Sequence, residues 1–308
     1  DLVARLAAGV LPPAGEVQEL LRRCAGYFES LPTLVEVNVP TGVPLHVVGD
    51  LHGQFAELVS VLKISGFPVQ GRNMLLFNGD FVDRGRQSVE VVLVLFALAL
   101  QFSGSVFLNR GNHETRAMNR AYGFEDEVLA KYSKDTFEEF QSAFRQLPLA
   151  TLVNRSVLVV HGGLPSTDGV RLSDLAALPR GGDLVRGAGR DLLWADPTDQ
   201  DGRPPSQRGG DIRLFGPDVS ERFCRDNGLL CCIRSHEVAM RGYAWQRGQR
   251  CLTVFSAANY VGRAGNLGAV CHIVPSGDSG VKATDISFTT FDGGAPAVSR
   301  ALAARSRL

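Results

Sequence analysis

An α/β fold is predicted by three observations. Short apolar, β-branched runs recur along the chain, each run breaks off in a polar, glycine-containing cluster, and helical patterns fill several of the intervals. Leu45–Val48 leads into Gly49-Asp50-Leu51-His52-Gly53, and Met74–Phe77 into Asn78-Gly79-Asp80-Phe81-Val82-Asp83-Arg84-Gly85. Val106–Leu108 leads into Asn109-Arg110-Gly111-Asn112-His113-Glu114, and Val157–Val160 into His161-Gly162-Gly163. The runs at 229–233 and 252–255 end in Arg234-Ser235-His236 and Ser256-Ala257-Ala258-Asn259-Tyr260. Continuous apolar runs suit strands buried on both faces, and glycine permits the sharp turns that end them. Helical patterns lie at Phe55–Ser65, 87–100 and 136–147. Strands alternating with helices imply α/β layers, in which ligands gather beyond the strand ends. Six strand ends carrying His, Asp, Asn and Arg therefore point to one shared site.

The rest of the chain narrows the function. Its 308 residues are enough for one large domain or two small ones, and no repeat, low-complexity tract or long linker divides them. We expect a single catalytic domain over 1–308, with a core at about 31–291. Lys+Arg and Asp+Glu balance at 32 each, so no global field favours nucleic acid and any anion site must be local. The apolar stretch at 89–100 is interrupted by Glu90 and is too short to span a bilayer. The chain opens on Asp1 without a signal peptide and reads as an excised domain. Six cysteines without CxxC spacing, several inside apolar runs, read as reduced, buried side chains of an intracellular protein, cytoplasmic or nuclear. The Gly/Pro-rich stretch 181–210 reads as a surface excursion, 281–291 as a last strand, and 293–308 as a mobile tail. A calcium loop at 196–207 fails, because Gly202 falls one position late and Gln207 stands where the loop needs Glu.

Asp50, His52, Asp80, Asn112, His161 and His236 offer oxygen and imidazole donors with no thiolate, which suits Mn, Fe or Zn. Six donors with one bridging carboxylate hold two ions. Such a pair, about 3.5–4 Å apart, clamps phosphoryl oxygens and makes a hydroxide nucleophile from bridging water, so no nucleophilic side chain is needed. Arg84 and Arg110 lie within a few residues of these donors, and their planar forks suit phosphate oxygens. His113, next to Asn112, is placed to protonate a leaving alkoxide, with Asp83 to hold its imidazole. Four of the six histidines fall in these clusters, whereas His46 and His272 lie inside apolar strand patterns and read as structural. Arg234 has no assigned role.

The blocks around Asp50, Asp80 and His113 resemble the signatures of the phosphoprotein phosphatase family of serine/threonine phosphatases. His161-Gly162-Gly163-Leu164, Leu193-Trp194-Ala195-Asp196-Pro197, Arg234-Ser235-His236-Glu237 and 256–260 match its later blocks in order. The resemblance implies a calcineurin-like metallophosphoesterase, a central β-sandwich flanked by helices with the site at one end. It implies that Asp50, His52 and Asp80 hold one metal, and that Asp80 bridges to a second held by Asn112, His161 and His236. His113 and Asp83 match the proton-donor pair. Arg84, Arg110 and Arg208 match the phosphate-binding arginines, and Tyr260 an aromatic over the site. The substrates implied are phosphoserine and phosphothreonine in proteins, with manganese the metal expected in vitro, iron or zinc as alternatives, and regulatory domains or subunits outside these residues.

Tyr122-Gly123-Phe124-Glu125 and Phe215-Gly216-Pro217-Asp218-Val219 place the resemblance nearest the type-5 and EF-hand (retinal-degeneration C type) branches. Neither tetratricopeptide repeats nor EF-hands are readable here. Ala258 replaces a usual Pro, and Val261 stands where many relatives have Cys, which bears on inhibitors rather than metals. Two rival readings are a dinucleoside polyphosphate hydrolase and a non-catalytic phosphoprotein-binding scaffold. The first wants a base-stacking feature and the second a missing donor, and neither is found.

Overall fold

Strands that are apolar on both faces need apolar neighbours on both, and two sheets packed face to face supply one of them. The computed structural model describes residues 2–183, 185–277 and 280–293. One sheet joins β2 (Leu45–Val48), β3 (Met74–Phe77), β4 (Val106–Leu108), β10 (Gly268–Ile273) and β11 (Ile286–Phe291) in the order β11-β10-β2-β3-β4. The other joins β1 (Leu34–Val37), β5 (Ala150–Val153), β6 (Val157–Val160), β7 (Cys231–Arg234), β8 (Tyr243–Trp245) and β9 (Cys251–Val254) in the order β1-β5-β6-β7-β9-β8. The strands that lead into the candidate clusters run parallel within each sheet: β2 with β3, β3 with β4, β6 with β7, and β7 with β9. Their carboxyl ends therefore emerge on common edges.

The period-two alternation of strands sorts side chains between two layers. Leu45, Val47, Leu76 and Cys271 of the first sheet meet Val157, Val159, Ile233 and Leu252 of the second in the central core. Val48, Leu75, Phe77 and Val270 face the other way, into a core shared with the helices α2 (Ala14–Ser30), α3 (Phe55–Ser65), α4 (Ser88–Gln101) and α7 (Lys134–Gln146). The second sheet's outer face packs on α8 (Leu172–Ala176), α9 (Ala188–Trp194) and α10 (Pro217–Asp226). The remaining helices are α1 (Leu2–Ala7), α5 (Arg116–Tyr122) and α6 (Phe124–Lys131). This is a sandwich flanked by helices, an arrangement that the strand–helix alternation alone left undecided against a single sheet.

Each element has a local cause. Helix α4 is apolar nearly all round because it is buried nearly all round. Its one acidic residue, Glu90, is matched by Lys131 Nζ at 2.6 Å. Helix α7 buries Phe137, Phe140 and Phe144 at helical spacing, and Ser133 caps its start by accepting from Thr136 N–H. Two expectations shift. The stretch 181–210 holds α9, whose Leu192 and Leu193 are buried, and the last strand begins at Ile286, after a 3-10 turn at Ala283–Asp285. The expected mobile tail, beyond Gly293, lies outside the described residues.

His46 and His272 are structural, as expected. They are cross-strand partners on β2 and β10 with their Nδ1 atoms 2.7 Å apart. Asn73 and Thr289 take the two Nε2 atoms. Burial, then the neighbouring imidazole, pushes His46 down to about 4, which keeps the pair neutral. The six cysteines are free and buried.

Candidate active site

The parallel strands deliver the expected residues to one end of the sandwich. Asp50 and His52 follow β2, Asp80 to Arg84 follow β3, Asn112 and His113 follow β4, His161 follows β6, and His236 follows β7. Most of them line a cavity of about 390 Å³: Asp50, His52, Asp80, Arg84, Asn112, His113 and His236, with Arg208 and Tyr260 completing the wall, while His161 and Asp83 lie just behind it. The turns that bring them together are tight. A Cβ on Gly49 would lie 2.1 Å from the carbonyl oxygen of Val254, and one on Gly111 only 2.3 Å from Asp80 Oδ1. Five of the site residues themselves, His52, Asp80, Asp83, Arg84 and His236, have φ between 44° and 69°. Such backbone persists only where its surroundings over-determine it, and it clusters at functional sites.

Asp80 is the centre. Two groups of three potential ligands share it, His52/Asp80/His113 and Asp80/His161/His236. His52 Nε2 lies 3.4 Å from Asp80 Oδ2 and 3.5 Å from Asp50 Oδ2, while His161 Nε2 lies 3.3 Å from Asp80 Oδ1. The carbonyl oxygens of Val82 and Asn78 each accept from the Nδ1–H of His52 and His161, at 2.8 Å, which turns both Nε2 atoms inward. Asn112 Oδ1 meets His161 Nε2 at 2.9 Å, and His236 Nδ1 lies 3.2 Å from that same nitrogen.

The electrostatics fit a cation. Burial alone would lower the His52 imidazole, but Asp50 and Asp80 override it and raise the group to about 9. His161 is raised against the same burial by Asp80. Asp80 is held well below the carboxylate range, despite burial, by His161, His113 and His52. His236 is pushed well down by burial and then by His161, and its Nε2 is buried without a partner among the described residues. An inward lone pair with no donor and carboxylates that draw protons onto imidazoles are the features that a metal ion satisfies by displacing those protons. Glu114, quoted in the sequence without a role, holds Asp80 in place. Its carboxylate accepts the backbone N–H groups of Asp80, Phe81 and Gly111, each at 2.8 Å.

His113 Nδ1 lies 2.7 Å from Asp83 Oδ2, and its Nε2 lies 4.0 Å from Asp80 Oδ2. Arg84 stacks over Tyr122 at 3.8 Å from the ring centroid, and burial raises the Tyr260 phenol while Arg84 opposes it. The Tyr260 ring sits 5.2 Å from that of His52. Arg208 reaches the wall held by Asp196, with Nε at 2.5 Å from Oδ2 and Nη2 at 3.2 Å from Oδ1. Arg234, unassigned from sequence, anchors Asp196 from behind at 2.6 Å and Glu237 at 2.9 Å.

Arg110 is the exception. It does not line the cavity: its guanidinium is fully buried, donating to the carbonyl oxygens of Glu114 and Gly182 at 3.1 Å, and burial lowers it to about 10. The structure spends this arginine on the loops behind the site, contrary to the phosphate contact expected of it. Conversely, Met118, Tyr122, Trp194 and Val238 line the wall without having been foreseen. Neither hydropathy nor periodicity shows which way such side chains face.

Residues 43–240 match the profile of the calcineurin-like phosphoesterases. The chain belongs to that family. Within it, the chain is 47% identical over 247 residues to serine/threonine-protein phosphatase T of Aspergillus oryzae, covering 79% of this chain and 51% of that protein. It is 44% identical over 265 residues to human serine/threonine-protein phosphatase 5, covering 83% of this chain and 53% of that one. A solved Saccharomyces cerevisiae protein serine/threonine phosphatase, described as similar to human PP5, superposes with a TM-score of 0.89 at 40% identity, covering 94% and 93% of the two chains. The type-5 kinship expected from 122–125 and 215–219 thus has counterparts among these relatives. The chain spans about half the length of the Aspergillus and human proteins.

Proposed function

We propose that this calcineurin-like phosphoesterase is the catalytic domain of a protein serine/threonine phosphatase, a single unit with its core at about 31–291. The observation that carries the reading is Asp80, one carboxylate shared by two inward-facing ligand groups beneath a wall that holds Arg84 and Arg208. Asp50, His52 and Asp80 would hold one ion, and Asp80, Asn112, His161 and His236 a second. When bound, such a pair supplies the Lewis acidity that neutralises phosphoryl charge and activates water near neutral pH. Manganese is the ion we expect to work in vitro, with iron or zinc as alternatives.

The chain's own residues do the rest. Arg84 and Arg208 flank the cavity and take the peripheral phosphate oxygens, with Tyr260 closing the wall beside His52. His113 presents Nε2 to the cavity while Asp83 accepts from Nδ1–H, so the ring is held and aimed to protonate the departing serine or threonine oxygen. The relatives' names support phosphorylated proteins as substrates. Regulatory segments would lie outside these residues, and we expect a cytoplasmic or nuclear location, with which the free, buried cysteines are in keeping. No helix among the described residues is long and apolar enough to cross a membrane.

His113→Asn tests the assignment. Turnover of a phosphothreonine peptide is expected to fall by about 10²–10⁴, the range of general acid–base catalysis, with metal content unchanged. Normal turnover would remove His113 from the mechanism.

A further inference from the structure

We propose that Asn119 and Gln141, which do not line the cavity, are positioning residues for the proton donor, an inference that rests on the reading of His113 given above. Asp83 is not held by His113 alone. Its Oδ1 accepts the backbone N–H of Phe124 at 3.0 Å, and its Oδ2 accepts from Asn119 Nδ2 at 3.1 Å as well as from His113 at 2.7 Å. The same Asn119 amide nitrogen donates to the His113 carbonyl oxygen at 2.7 Å, so one side chain grips both members of the donor pair. Asn119 Oδ1 in turn accepts from Gln141 Nε2 at 2.7 Å. Asn119 is wholly buried on α5, and Gln141 is 1% exposed on α7.

An amide is nearly symmetric in shape and opposite in polarity at its two ends. Turned over, Asn119 would face an oxygen to the Asp83 carboxylate and the His113 carbonyl, acceptor against acceptor. Gln141 reinforces the productive orientation, because its Nε2 donates to the Asn119 oxygen on the α7 side. Helix α7 is anchored by Phe137, Phe140 and Phe144 in the core, so the relay ends on a rigid element. Besides the 4.0 Å approach of Nε2 to Asp80 Oδ2, the His113 ring has edge or tilted contacts with His52 at 4.7 Å and Tyr122 at 5.3 Å between centroids, and these fix no rotamer by hydrogen bonding. The chain Gln141–Asn119–Asp83–His113 therefore sets the aim of Nε2 from a helix that touches no substrate.

A merely structural polar pair would affect all substrates alike. A positioning relay for an acid affects only leaving groups that need a proton: the alkoxide of phosphothreonine does, whereas p-nitrophenolate departs without one. The test compares wild type, Gln141→Met, Gln141→Glu, Asn119→Ser and His113→Asn, metal-loaded, on a phosphothreonine peptide and on p-nitrophenyl phosphate. The downfield Nδ1 proton resonance of His113 is recorded in the metal-free proteins. We expect Gln141→Met to lower peptide turnover about tenfold more than p-nitrophenyl phosphate turnover, part of the roughly 10²–10⁴ that a general acid supplies. Gln141→Glu, which sets an acceptor against Asn119 Oδ1, should do more, and in each variant the resonance should move or broaden.

Equal losses on the two substrates, with the resonance unmoved, overturn the inference. His113→Asn separates that failure from one beneath it. If it discriminates between the substrates and the relay variants do not, the relay is wrong. If it does not discriminate, the donor assignment itself is wrong. Should Asn119→Ser fail to fold, the Gln141 pair and the resonance decide alone.

Discussion

Removing Asp196 should damage stability and phosphate binding together, and the structure sets the size of each effect. The Arg234 side chain is wholly buried and Asp196 is 6% exposed, so their 2.6 Å contact is a desolvated ion pair. Arg208, at 31%, shares the same carboxylate from the wetter side. Asp196→Ala leaves Arg234 with Glu237, whose side chain is 41% exposed, and with the carbonyl oxygens of Gly162 and Ala195. Breaking a buried pair from one side costs about 3–5 kcal/mol. The half of the network that belongs to Arg208 adds less than about 1 kcal/mol because water screens it. Guanidinium unfolding at saturating metal should therefore show a loss near 3 kcal/mol or above, about the lower end of the buried-pair range. Inorganic phosphate, as a competitive inhibitor, should bind more weakly because Arg208 has lost its clamp. Adding Arg234→Met to Asp196→Ala should restore most of the stability, since the stranded charge is gone, but none of the phosphate affinity. A loss below about 1 kcal/mol with unchanged phosphate inhibition would refute this view of the network.

Other perturbations reach the bridging carboxylate, the tight turns and a buried acid. Asp80→Asn should drop the metal content to below one ion per chain by mass spectrometry, and retention of two would show that Asp80 does not bridge. Gly111→Ala places a Cβ 2.3 Å from Asp80 Oδ1 and 2.7 Å from Glu114 Oε2, so metal affinity and turnover should fall together while circular dichroism holds; intact metal binding would contradict the tight approach. Glu57 is buried, its Oε2 has no partner among the described residues, and burial followed by Asp292 raises it to about 7. The folded chain then keeps a proton that the unfolded chain releases near 4.5, so this group's contribution to stability declines as pH rises from there through about 7. Glu57→Gln should melt higher than wild type at about pH 8, with the gap closing toward about pH 5; a gap independent of pH would show that Glu57 does not carry the proton.

Much of the site was legible because strand-end chemistry is local. A buried run followed by glycine and a donor reads the same way in sequence and in space, and Asp50, His52, Asp80, Asn112, His161 and His236 all gather at one end of the sandwich. What the sequence could not convey was direction. Arg110 and Arg84 look alike from spacing, yet Arg84 faces the cavity and Arg110 turns to Gly182 behind it. Nor does a run show which sheet it joins: β6 and β7 belong to one layer and β2, β3 and β4 to the other, a matter of tertiary packing. Short α9 was hidden in a Gly-rich stretch because three apolar residues do not make a period. Asn119 and Gln141 carry no motif of their own, and only the fold joins them, buried, by a 2.7 Å hydrogen bond between α5 and α7.

Whether the two-metal site turns over phosphoproteins is decided by stripping the chain of metal, adding Mn²⁺, and assaying a phosphothreonine peptide and diadenosine tetraphosphate side by side. No activity is expected before metal is added, and phosphate release from the peptide alone is expected after it. Preferential cleavage of the dinucleotide, or activity on neither with two metals bound, would contradict that expectation.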